Sequence, residues 1–178
     1  MLEQMRNRLD GQRTFEGAVD TILRDVIALH GAEFGNVQLP IGPKFVIVAQ
    51  QNLSADFLNA FRTVDKHQDC ACGRVIRLGK PVVVADVNED KDYARYRSNA
   101  KAAGYRAVQS SPLHTGDGAL IGIVSTLFAN AHEPSPIEME TLRLYSGVAS
   151  EHLHRLLGDD ELAHRASQMN RALYAGLD

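Results

Sequence analysis

The sequence has no marked excess of either charge: Lys and Arg total 19 against 22 Asp and Glu in 178 residues, a formal net charge of -3. That balance favours neither a phosphate backbone nor an anionic membrane surface, so no nucleic-acid or membrane partner is expected. No apolar run approaches the roughly 20 residues of a membrane span. The amino-terminal MLEQMRNRLDGQR is charged where a secretion signal would be apolar, and the expectation is a soluble, cytoplasmic chain. Cysteine is scarce. Cys70 and Cys72 stand one residue apart, too close for an ordinary structural disulfide, which fits a reducing compartment. Gly-rich phosphate loops, nucleophile elbows and metalloprotease helix motifs are absent; GDGALIG sits in a strand-to-strand turn without the helix amino end that a phosphate site needs. There is no internal repeat and no low-complexity tract.

What remains is ordinary globular material, 44% apolar and 23% charged, enough for one core with a helical appendage. Apolar residues at Phe15, Ala18, Ile22, Val26 and Leu29 recur at steps of three and four, predicting a helix that ends near Gly31. FGNVQL and KFVIVA, separated by Pro40 to Pro43, read as a hairpin. Ser54 caps a short helix that reaches Asn59 to Val64, and ACGRVIRL forms another, closed by Gly79. PVVVADV is a strand. A helix from Asp90 carries Tyr93, Tyr96, Ala100 and Ala103 on one face and stops at Gly104. Tyr105 to Leu113 and Ala119 to Phe128 should pair as neighbouring strands. Ser135-Pro136-Ile137-Glu138 is a capping-box pattern that opens a long helix with Leu142, Ser146, Ala149, Leu153 and Leu156 in four-three alternation. After Gly158-Asp159-Asp160 the alternation resumes in shifted phase at Leu162, Ala166, Met169 and Leu173, a narrow seam that needs a partner.

This order gives an α+β fold, an antiparallel sheet with helices around it. The expected organisation is a helical extension over 1–13, one domain over 14–157, and a coiled-coil-like linker helix over 158–178.

The blocks CGRVIRLGKPVVVADVNED, AAGYRAVQSSPL and GDGALIGIVSTLFANAHEPS, followed by the capped long helix, together resemble the GAF domain of bacterial sensor proteins and histidine kinases. The resemblance implies a central antiparallel sheet with the first and last helices on one face, and short helices and loops enclosing a small-molecule pocket on the other. It also implies a homodimer formed through the terminal helices, a regulatory input role, and a kinase or other regulator as output partner. NEDKDYARY does not match the Asn-Lys-Phe-Asp-Glu signature of cyclic-nucleotide-binding members, and neither cysteine is followed by the histidine usual at a bilin attachment site. The cofactor, if any, is not named by these residues.

Cys72 falls where the free methionine-(R)-sulfoxide reductases, enzymes of the same fold, carry a cysteine. A sulfoxide attacked by a thiolate must be resolved by a second thiol, and no cysteine occurs near the Tyr93 to Leu113 stretch where that family has another. His67, Cys70 and Cys72 could begin a metal site, but nothing in the spacing of His114 or His132 specifies a second pair of ligands. His152 and His154 point in different directions and read as surface or seam residues. Asp86, Glu89, Asp90 and Asp92 read as a solvated loop and helix start. With Val108 turned toward the helical core, Gln109 and Ser111 face the pocket, joined by Ser125 from the partner strand, while Gly122 suits a closely packed helix. Tyr93, Tyr96 and the Asp86 loop would roof them. The candidate ligand-binding set is therefore Cys72, Asp86, Tyr93, Tyr96, Gln109, Ser111 and Ser125, with no catalytic or metal residues. The reading is a non-catalytic sensory module for an unidentified small molecule; thiol redox enzyme and structural dimerisation module are the alternatives.

Overall fold

The computed structural model describes residues 1–157 and 161–177; the Gly158-Asp159-Asp160 break lies outside the described residues. Helix α1 spans Leu2–Asp10 and α2 Phe15–His30. Thr14 caps α2, its hydroxyl accepting from Gly17 N at 3.1 Å, and Gly31 closes it in the left-handed region at φ 63°. Strands β1 (Phe34–Ile41) and β2 (Lys44–Gln51) form the expected hairpin. Gly42, at φ 62°, takes the positive-φ position of its two-residue turn. Helix α3 (Ala55–Ala60) is capped by Ser54 and stops short of its expected end, because the chain must extend for Val64 to pair with Phe45. Helix α4 (Ala71–Leu78) closes at Gly79 and leads into β3 (Val82–Val84).

The helix expected from Asp90 is two pieces, a 3₁₀ helix at Lys91–Tyr96 and α5 at Arg97–Ala103. The tighter winding places Tyr93 and Tyr96, three apart, on one side, and both are buried. Strands β4 (Ala107–His114) and β5 (Leu120–Phe128) pair antiparallel as expected. Helix α6 (Pro136–Leu156) starts on the full capping box, and α7 (Leu162–Ala175) ends the described chain.

The sheet is antiparallel in the order β2-β1-β5-β4-β3. One face is covered by α1, α2 and α6 over a core that includes Leu9, Ile22, Leu39, Leu142 and Leu153. The three helices are cross-linked at Asp25: Arg8 Nε donates to Oδ1 at 2.9 Å and the Tyr145 hydroxyl to Oδ2 at 2.9 Å. Burial, and then the neighbouring carboxylate, pushes the Tyr145 phenol up, so it stays a donor. His152, expected at a surface or seam, is buried with Nε2 2.9 Å from the Gln12 carbonyl, where α6 meets the α1–α2 connection. Gly35 lets α2 approach the sheet, since a Cβ there would lie 2.7 Å from Ile27 Cδ1. Gly122, expected under a helix, instead meets the Leu113 and Leu39 side chains.

The other face carries a second core under α3, α4 and the 3₁₀ segment. Helix α7 does not trail away as a linker but lies along the β1–β2 hairpin. Leu162, Ala166 and Met169 pack on the helix-side core, and Leu173 and Tyr174 on the other. Asn170 Nδ2 donates to the Ile47 carbonyl of the edge strand β2 at 2.9 Å. The apolar seam that needed a partner finds one in its own chain.

Candidate functional site

The hollow lies on the face away from α6, and its floor is a polar rung across three strands. Register sets Asn36 of β1 and Ser110 of β4 on either side of Ser125 of β5, so the three side chains share a face. Ser110 and Ser125 hydroxyls are 2.6 Å apart. Cys72 Sγ, from the first turn of α4, sits 3.4 Å from the first and 3.3 Å from the second. Gln38 lines the floor two residues beyond Asn36. Asn36 Oδ1 and Gln38 Oε1 are buried and have no hydrogen-bond partner among the described residues, acceptors that carry the cost of desolvation.

The roof is aromatic. Phe57 of α3 and Phe61 at its end pack with tilted rings 4.7 Å apart, and Tyr93 closes the far side with its hydroxyl 2.7 Å from that of Tyr105. Burial raises both phenols, so the pair is uncharged at neutral pH. Arg74 of α4 holds the roof together through a bidentate pair with Asp90, at 3.0 and 2.8 Å. Those hydrogen bonds keep the Asp90 carboxyl below its ordinary range, and Asp90 in turn accepts from Tyr93 N at 3.0 Å. The loop before α4 closes so tightly that a Cβ on Gly73 would lie 2.0 Å from the Gln68 carbonyl oxygen. The free space inside is about 20 Å³, room for about one water molecule.

The expected residues divide. Cys72, Tyr93 and Ser125 line the hollow. Tyr96 stands behind the lining, against the rings of Phe61 at 5.7 Å and Tyr93 at 5.5 Å. Asp86 is not in the roof: β3 stops at Val84, the chain turns outward, and the carboxylate is held by Arg106 at 3.0 and 2.7 Å. Gln109 and Ser111 are on the opposite face. Val108 lines the hollow, and Gln109 Nε2 lies 3.2 Å from Met139 Sδ of α6. The phase of β4 is thus the reverse of that expected. Its residues are buried on both faces, so alternation of side chains cannot tell one face from the other. Asn36, Gln38 and Ser110 were not anticipated. The signal for them was the spacing of Asn36 and Gln38 by two in a strand, which becomes informative once β1 is registered against Ser125.

The thiols are poor nucleophiles. Burial first, then the neighbouring Cys72, pushes Cys70 up to about 12. Burial also raises Cys72, although the Ser110 and Ser125 hydroxyls act against it. Among the described residues, no group of three or more His, Cys, Asp or Glu is placed to hold a metal ion, His67, Cys70 and Cys72 included. No helix among them is long and apolar enough to cross a membrane.

Comparison with known proteins agrees with this architecture. No curated protein gives a significant match. Among solved structures, a domain of a putative two-component sensor histidine kinase from Sinorhizobium meliloti is 19% identical, with TM-score 0.66 over 84% of this chain and 96% of that one. The GAF domain of an Acinetobacter phosphoenolpyruvate-protein phosphotransferase is 10% identical, with TM-score 0.71 over 94% of each chain. A bacteriophytochrome from R. palustris, 11% identical with TM-score 0.66, covers 96% of this chain, which spans 40% of it. At these identities the likeness is one of fold. The family model for the GAF domain matches residues 12–154. With the roofed antiparallel sheet and the helix layer beneath it, that match establishes that the chain belongs to the GAF domain family.

Proposed function

We propose that the chain is a non-catalytic sensory module in which a small ligand enters the roofed hollow and the change is relayed through the carboxyl-terminal helices. The observation that carries this reading is the pair of buried acceptors, Asn36 Oδ1 and Gln38 Oε1, left without partners beneath a roof of short helices. A ligand with N–H or O–H donors and a flat apolar body satisfies both and fits the aromatic ceiling. With room for only about one water, the roof must lift to admit it. Binding is then selection of an open arrangement, weighted by the ligand's difference in affinity for open and closed states.

A mechanical link from roof to α7 supports the relay. The Tyr174 hydroxyl donates to the Leu58 carbonyl of α3, and Arg62 covers the Tyr174 ring at 4.1 Å. Lifting α3, which carries Phe57 and Phe61, strains this attachment. The exposed Ile137 and Leu144 on α6 offer a surface for a second copy, in keeping with a dimer through the terminal helices. A kinase or other regulator domain is the output this arrangement serves, in the cytoplasm. The thiol-enzyme alternative is disfavoured by thiols held protonated, and the reading as a purely structural dimerisation module by the unsatisfied floor.

Native mass spectrometry of protein purified from its own host tests the ligand. A retained small molecule lost in the Ser110→Val, Ser125→Val double variant is the expected result, and retention unchanged by that variant removes the rung from the site. Hydrogen exchange should show α7 amides less protected in the loaded protein. Sedimentation tests the dimer, which Leu144→Glu should dissociate.

A further inference from the structure

A second cavity lies at the open edge of the sheet, between β4, α6 and the connection from α4 to β3. It exists because β3 is short: Val82 pairs with Ser110, and beyond that rung the outer side of β4 has no strand beside it. The opening left there measures about 240 Å³, against about 20 Å³ in the hollow. Pro81, Pro112, Met139 and Leu142 give it apolar walls.

Three buried polar atoms belonging to residues that line this cleft have no partner among the described residues: Ser111 Oγ, Ser146 Oγ and His114 Nδ1. Ser111 is 2% exposed and Ser146 8%, so bulk water does not satisfy them. His114 Nε2 lies 3.1 Å from the Gly79 carbonyl, which can only accept, so Nε2 carries the proton and Nδ1 of the neutral ring is a bare acceptor. At the rim Lys80 is exposed, whereas Arg143 already grips Glu140 at 2.9 and 2.7 Å. Two hydroxyls and one fixed acceptor thus stand in the cleft's walls without a partner among the described residues, beside an apolar slot and the exposed Lys80 ammonium.

We propose that this cleft is a second ligand site, distinct from the roofed hollow, for a small hydroxy-carboxylate with an apolar body. The carboxylate accepts from the serine hydroxyls and the Lys80 ammonium, the hydroxyl donates to His114 Nδ1, and the body lies against Met139 and Leu142. One wall is α6, so occupancy of the cleft bears directly on the long helix without passing through the roof. The proposal does not depend on the hollow being a ligand site.

The test is an amide NMR titration of the full chain with 4-hydroxybenzoate, 4-hydroxybenzamide and benzoate. Saturable shifts with 4-hydroxybenzoate below about 10 mM, centred on Ser111, His114, Ser146 and Gly147, are expected. The uncharged amide should bind about tenfold more weakly and benzoate, lacking the hydroxyl donor, severalfold more weakly. Ser146→Ala should weaken 4-hydroxybenzoate about tenfold and Lys80→Gln about fivefold, the latter being an exposed change that leaves the fold alone. Shifts confined to Asn36, Cys72 and Ser125, equal binding of acid and amide, or no saturable shift would each overturn the proposal. The first of those would at the same time favour the hollow.

Discussion

On one face of the sheet Arg8, Asp25 and Tyr145 join three helices through hydrogen bonds that meet both carboxylate oxygens; on the other, Asn36 and Gln38 end in oxygens that no described residue meets. The first face carries the 16-residue α2 and the 21-residue α6, whereas the helices over the second are short, α3 only 6 residues long. Isolated short helices are marginal and hold their place by packing and clamps, here the Arg74–Asp90 pair and the Tyr174 attachment. In the proposed function the first face is the support and the second the part that moves. Regions that open for a ligand come from the less stable end of a fold, and the unsatisfied floor supplies a reason to open.

The contrast can be broken or sharpened by experiment. Leu153→Ala, deep in the helix layer, should cost about 2–5 kcal/mol in urea denaturation and unfold both faces together; loss of the helix layer alone would mean that the faces are independent. Acid should act on the same side. His30, buried against Thr126, is pushed down from 6.5 to about 4, chiefly by desolvation. The unfolded chain therefore binds the extra proton first as pH falls, and about 3 kcal/mol of stability should be lost between those values, a slope that His30→Gln should flatten. Gly73→Ala forces the Gln68 carbonyl away from the roof and should cost about 1–3 kcal/mol. Hydrogen exchange should speed up in α4 with little change in α6, and an equal response in both would remove the distinction. Gln38→Met replaces an unpaired acceptor with a similar volume, and its melting temperature should stay level or rise by about 1 kcal/mol equivalent. A clear loss would show that Gln38 is satisfied after all.

Much of this was legible beforehand. Ser54, Ser135, Gly31, Gly79 and Gly104 mark helix ends by local chemistry that needs no tertiary information, and each stands where expected. The antiparallel sheet followed from the grouping of strands and from the order of the family blocks. The site was harder to read. Cys72, Tyr93 and Ser125 line the hollow, whereas Gln109 and Ser111 lie on the face opposite to the one expected, because a strand buried on both sides gives no hydropathy contrast. Asp86 was misplaced because its pairing with Arg106, 20 residues on, is a tertiary fact. The seam on α7 was visible, whereas its partner was not, since the same apolar spacing suits a second copy or the chain's own hairpin.

That last placement bears on how the protein can be handled. Strand β2 is the rim of the sheet, and on its outward side Phe45 pairs with Val64 and the Ile47 carbonyl accepts from Asn170. The portion shared with the family ends at residue 154, before α7 begins. A fragment trimmed to that boundary bares the Ile47 carbonyl together with the greasy strip beneath Ala166 and Leu173, a ready template for strand-to-strand polymerisation. The final helix therefore doubles as a guard against self-assembly.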